Sequence, residues 1–86
     1  MTIKFANGVT YDCSLAVSMP NDGGTAFIAL PDVTFAEAAA IFSDEEATEA
    51  MEYNETRFVG YTTLVSISVQ PYGIQAVLRG GHDEQI

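Results

Sequence analysis

The chain has 86 residues, 12 acids against 3 basic side chains (net charge −9) and 48% hydrophobic residues. That is one domain of globular composition, not a disordered acidic tail. Three basic residues are too few to hold a phosphate backbone, and no apolar run approaches the roughly 18 residues of a membrane span, so direct nucleic-acid binding and membrane insertion are both excluded as expectations.

At the start, Ile3 and Phe5 alternate with Thr2 and Lys4, and Asn7-Gly8 offers the two positive-φ residues of a type I′ hairpin turn. The same Asn-Gly pair interrupts the segment before a signal-peptide apolar core could form. Val9, Tyr11, Cys13, Leu15, Val17 and Met19 are all apolar and all odd-numbered. This strict period of two predicts one long strand with a buried face, carrying a bulge or bend. Pro20-Asn21-Asp22-Gly23-Gly24 is a turn cluster. Thr25–Leu30 is apolar on both faces, as a central strand would be, and Pro31 ends it. Thr34-x-x-Glu37 is then a capping box, with Val33 as the staple residue. Phe35, Ala38, Ala39 and Phe42 follow helical spacing, which predicts a short helix over 34–42 packed on the sheet through Phe35 and Phe42.

Ser43–Asn54 reads in two ways. Asp44-Glu45-Glu46 could cap a second helix with Glu45, Glu49 and Glu52 on one face, or Met51 and Tyr53 could alternate in a strand that follows a loop. Phe58–Val69 is a strand or a bent pair, with Val59, Tyr61, Val65, Ile67 and Val69 on one face and a bulge at Gly60. Gln70-Pro71-Tyr72-Gly73 suits a type I turn. Ile74, Ala76 and Leu78 point inward from the last strand, and 81–86 reads as a flexible tail behind a compact domain of 1–80. The expected fold is α+β: a mainly antiparallel sheet of five to six strands in the order β-β-β-α-β-β-β, with one short helix on one face.

Little here carries reaction chemistry. His82 lies in the expected tail. Cys13 is in phase with the buried strand face, and as the single cysteine it has no internal disulfide partner, which suits a reducing cytoplasm. No phosphate loop, metal-ligand spacing or cofactor motif is present, so the expectation is a non-enzymatic protein with no cofactor and no tight metal site. The carboxylates are the strongest signal: Glu37, Asp44, Glu45, Glu46, Glu49, Glu52 and Glu55 are seven acids within 19 residues with no base among them, whereas Thr56–His82 contains none. Asp44, Glu45, Glu46, Glu49, Glu52 and Glu55 form the candidate surface for a basic partner, because carboxylates on a rigid element can occupy positions that phosphates would take. The acid-free surface around Arg57, Tyr72 and Arg79 is the alternative.

Thr2-Ile3-Lys4-Phe5…Gly8-Val9-Thr10-Tyr11, Thr34-Phe35…Ile41-Phe42-Ser43-Asp44 and Tyr61-Thr62-Thr63-Leu64…Ile67-Ser68-Val69-Gln70 together resemble small uncharacterised proteins of tailed phages and prophages, although the early hairpin region here is shorter. The resemblance implies a phage-encoded, non-enzymatic protein and transfers no site residues. Two functions follow as expectations. One is a cytoplasmic inhibitor that blocks the basic groove of a host nucleic-acid-binding or defence protein, in the manner of an anti-CRISPR protein or nucleic-acid mimic. The other is a virion component, a tail or head-tail accessory subunit that meets other virion subunits.

Overall fold

The computed structural model describes residues 1–18 and 24–85. Its elements in chain order are β1 (Thr2–Lys4), β2 (Thr10–Asp12), β3 (Ser14–Ser18), β4 (Gly24–Leu30), α1 (Phe35–Phe42), α2 (Glu45–Thr48), β5 (Ala50–Tyr53), β6 (Thr56–Val59), β7 (Thr63–Gln70) and β8 (Gly73–Gln85). Every strand pair is antiparallel. The α+β class and the antiparallel sheet are as the sequence predicts. The count is not: among the described residues eight strands replace five or six, and two helices replace one. The extra strands arise where two long runs break: the first changes partners at its break, whereas the second is interrupted but stays on β8. The Val9–Met19 run divides at Cys13 into β2, on β1, and β3, on β4. The Phe58–Val69 run divides at Gly60, whose φ is +83°, into β6 and β7. Met19 and the turn cluster through Gly23 lie outside the described residues; Gly24 already belongs to β4.

The strands follow the order β2-β1-β5-β6-β8-β4-β3, with β7 added on β8. Because only Cys13 separates β2 from β3, this path begins and ends on one run of chain, and the sheet closes into a ring. β8 is shared along its length: Ile74–Arg79 lies between β4 and β7, whereas His82–Gln85 pairs with β6. The ring encloses Ile3, Phe5, Ile28, Leu30, Met51, Tyr61 and Leu78, joined by Ala38 and Phe42 of α1. Phe5 makes edge-to-face contacts with Tyr11 and Phe42 at centroid distances of 6.1 and 5.9 Å, a favoured geometry for aromatic rings.

Several local expectations are corrected. The first turn is not type I′, because among its residues only Gly8 has positive φ; Gly8 N–H donates to Phe5 O, and Phe5 N–H donates to Val9 O. That is a three-residue loop, 6–8, ending in a left-handed glycine. Val9 sits beside this loop and is exposed. The type I′ geometry occurs instead at Asn54-Glu55 (φ 51° and 64°), where β5 turns into β6. The ambiguous segment 43–54 takes something from each reading: a single helical turn capped by Asp44, then a strand. In β7 a register shift between Leu64 and Ser66 reverses the expected phase, so Leu64 packs on the core while Val65 is exposed. Val69 is exposed at the strand's end.

The expected tail is strand as far as Gln85, with His82, Asp83 and Glu84 paired to Val59, Phe58 and Arg57. Its two glycines read as breakers, but Gly81 is there because a side chain would collide with the ring of Tyr61. Ile86 lies outside the described residues. The helix forms as predicted. Thr34 Oγ1 accepts from Glu37 N–H at 3.1 Å, and Phe42 is buried, but Phe35 is 45% exposed and contributes little to the sheet contact.

Candidate functional site

The six candidate acids do not form one face. Asp44 is the N-cap of α2: its Oδ1 accepts from Glu46 N–H at 3.0 Å, which satisfies a donor the helix cannot satisfy itself. Glu45, Glu46 and Glu49 follow on this turn and, with Thr62, line a shallow open depression of about 260 Å³. No ion pair reaches these three glutamates among the described residues. Their repulsion is tolerated because all are exposed and water screens them. The buried side of the turn is held by Ala47 and Thr48, and Ala6 N–H donates to Ala47 O at 2.9 Å, tying α2 to the first hairpin loop.

Glu52 belongs to a different environment. On β5 it lies opposite Lys4 of β1 on one side and Arg57 of β6 on the other, and Arg57 lies opposite Glu84 of β8. The outward row Lys4–Glu52–Arg57–Glu84 thus alternates in sign across four strands, with Arg57 Nη2 to Glu52 Oε1 at 4.0 Å. Opposite charges facing each other across strands stabilise a sheet, and like charges there would not. Two of the three basic residues are therefore committed to this row, and Glu52 is partly neutralised. Glu55 sits apart, at the β5–β6 turn.

The alternative set is divided as well. Arg57 is in the charged row. Tyr72 and Arg79 share the outer face of β3, β4, β8 and β7, and Tyr72 Oη donates to Gln75 Oε1 at 3.1 Å. Register places Ser14, Ala29, Gln75 and Ser68 in one outward row and Ala16, Phe27, Val77 and Ser66 in the next. This face has no carboxylate in any of those positions. Near Tyr72 it holds an apolar depression of about 280 Å³ lined by residues including Phe27, Ala29 and Pro31. Phe27 is 38% exposed, so the second apolar side of β4 faces outward instead of a second packed layer. The sequence names Tyr72 and Arg79 of this acid-free face but not its rows on β3 and β4, although the alternation of Ser14, Ala16 and Ser18 with the core positions of β3 is a visible signal for them.

The residues with possible chemistry lie apart. Cys13 is buried, and burial pushes its thiol up to about 11, which keeps it out of the nucleophilic thiolate form near neutral pH. His82 is exposed on β8, 3.8 Å from Glu84. Tyr61 is fully buried and donates to Asp83 Oδ1 at 3.0 Å; burial, then that hydrogen bond, push its phenol well above the ordinary range. Among the described residues no three His, Cys, Asp or Glu side chains come together as a metal-holding group, and no helix is long and apolar enough to cross a membrane. Compared with protein-family models, with curated proteins and with solved structures, the chain matches none.

Proposed function

We propose that this chain is a non-enzymatic acidic binding protein that presents α2 to the basic surface of a protein partner. The class that fits is a phage-encoded inhibitor acting in the host cytoplasm on the nucleic-acid groove of a host or defence protein. One observation carries the reading. Glu45, Glu46 and Glu49 stand on one turn with no ion pair among the described residues, while Lys4 and Arg57 lie in register with Glu52 and Glu84, and Arg57 pairs with Glu52. A fixed array of carboxylates steers a basic partner and competes with phosphates for its surface. A second reading, a virion subunit, is favoured by the neutral outer face around Phe27, Val77 and Tyr72, which suits a less charged neighbour.

The test is affinity capture from bacterial lysate with the parent chain and with Glu45→Gln/Glu46→Gln/Glu49→Gln, followed by mass spectrometry and kinetics on the captured protein. Asp44 is left in place because it caps the helix. The triple variant should associate about tenfold more slowly at low salt. The gap should close toward 1 M salt, where the Debye length falls to about 3 Å. Equal association rates at low salt would overturn the acidic reading. Recovery of the chain in purified particles at fixed copy number would establish the virion reading instead.

A further inference from the structure

Of the three asparagines, Asn7 alone is followed by glycine. The backbone nitrogen after an asparagine can attack that residue's own carboxamide, because the two groups are tethered and need no collision to meet. Glycine hinders this nitrogen least, since it carries no Cβ. Asn21 precedes Asp22 and Asn54 precedes Glu55, so a side chain hinders the nitrogen there. The loop at 6–8 adds geometry to the signal. Asn7 and Gly8 are exposed, so water and hydroxide reach them. Asn7 Oδ1 accepts from Val9 N–H at 3.0 Å. That bond closes a ring of atoms that includes Gly8 N. It folds the carboxamide back toward the nitrogen that attacks it, and it polarises the carbonyl for attack. One bond opposes the reaction: Gly8 N–H donates to Phe5 O at 2.9 Å. Attack waits for that bond to open, which costs little in an exposed loop.

We propose that Asn7 is a self-modification site, which the loop converts without an enzyme to aspartate and isoaspartate. Hydroxide takes the Gly8 amide proton, and the nitrogen bonds to Asn7 Cγ. The Cγ–Nδ2 bond breaks, and the leaving nitrogen takes a proton from water, which returns the hydroxide and releases ammonia. Water then opens the succinimide. Cleavage between Cγ and Gly8 N gives aspartate. Cleavage between the Asn7 carbonyl carbon and Gly8 N gives isoaspartate, whose main chain runs through Cβ and Cγ. The net reaction consumes water and releases ammonia. The two products act differently on the fold. Aspartate keeps an Oδ acceptor for Val9 N–H. Isoaspartate lengthens the main chain inside the loop that Phe5 N–H to Val9 O and Gly8 N–H to Phe5 O close. It also lies beside Ala6, whose N–H donates to Ala47 O and ties the loop to α2. Its formation loosens both the hairpin and that tie.

The experiment ages the folded full chain for weeks at physiological temperature, at mildly acidic and at mildly alkaline pH. Peptide mapping by mass spectrometry, with isoaspartate detection, follows each asparagine. The peptide that holds Asn7 should gain the mass that exchanging NH for O brings, and faster at the alkaline pH. Its conversion should lead that at Asn54 at least about tenfold. The purified isoaspartate fraction should melt below the parent and exchange its Ala6 amide hydrogen faster, whereas Asn7→Asp should melt with the parent. Asn7→Ser keeps an acceptor for Val9 N–H but has no carboxamide, so its melt should not change with age. No mass gain at Asn7, or a gain no faster than at Asn54, overturns the site. An isoaspartate fraction that melts and exchanges as the parent does overturns its effect on the loop.

Discussion

At the scale of single residues, position decides what an ordinary side chain does. Cys13 is where the chain leaves β1 for β4. Its N–H donates to Met1 O at 2.8 Å, and its side chain is buried in the bend. Burial raises the thiol to about 11; the N-terminal ammonium opposes this, and Asp12 adds to it. A thiol raised in the folded state is neutral there while the unfolded chain ionises. The stability it contributes is complete below the ordinary thiol range near 8.5 and is lost as pH rises toward 11. Urea midpoints should therefore fall between pH 9 and about 11, and Cys13→Ala, though less stable at pH 7, should show a flatter alkaline limb. Cys13→Asp should fail to fold at neutral pH, since it buries an unpaired charge. Glu55 is the opposite case, a residue in a conformation it does not favour. Its φ of 64° lies in the left-handed region, which costs a non-glycine residue about 1–2 kcal/mol. Glu55→Gly relieves that strain but frees the unfolded chain, so the expected net gain is about 0.5–1 kcal/mol, read as a higher urea midpoint with an unchanged slope.

Individual elements show which physical signals are local enough to read from sequence. α1 was legible because its capping box and its i, i+3, i+4, i+7 stripe both lie within nine residues, 34–42. Its aromatic ends nevertheless differ. Phe42 is 1% exposed and meets Phe5, whereas Phe35 lies at the helix start, where the ring of strands no longer covers it. Phe42→Ala should cost about 3–5 kcal/mol and Phe35→Ala less than about 1 kcal/mol; chemical denaturation of the two variants side by side checks the difference. The inward set Ile74, Ala76 and Leu78 was equally legible, because period two survives along β8. The turns were not. Asn7-Gly8 is the stronger type I′ signal by composition, yet Phe5 N–H to Val9 O and Ala6 N–H to Ala47 O fix a longer loop there. Asn54-Glu55 takes the type I′ shape because Tyr53 and Thr56 are already paired, which leaves two residues to close the hairpin. The break at Cys13 depends on which distant strand each half meets, whereas the break at Gly60 and the phase change at Val65 are interruptions in one pairing along β8. The candidate site divides along the same line. That Glu45, Glu46 and Glu49 stand together follows from their closeness in sequence. That Glu52 stands between Lys4 and Arg57 requires the order β1-β5-β6, which no local pattern carries.

For the whole molecule, the consequence of that strand order is closure, and closure gives the C-terminal residues a structural role. β6 has β5 on one side and the end of β8 on the other. Without His82–Gln85 the ring opens at β6. With Gly81 before them, the same residues hold the largest fully buried side chain among the described residues, since Tyr61 donates to Asp83 and rests its ring against Gly81. Deleting 81–86 therefore removes a strand pairing, a hydrogen bond to a carboxylate and the cover of an aromatic ring together. The hydrogen bond alone is worth about 1.5–3 kcal/mol. Exposing part of a tyrosine adds on the order of 1–2 kcal/mol, before the lost ladder bonds are included. A domain this small has on the order of 5 kcal/mol in all, so the chain truncated after Gly80 should be largely unfolded at 37 °C. Tyr61→Phe keeps the strand and the ring and loses only the hydroxyl, so it should remain folded with a lower melting temperature. Far-UV circular dichroism melts of the three chains decide the matter. If 81–86 were a frayed tail, the truncated chain would melt with the parent; if the ring is closed through β8, its transition disappears while that of Tyr61→Phe only shifts.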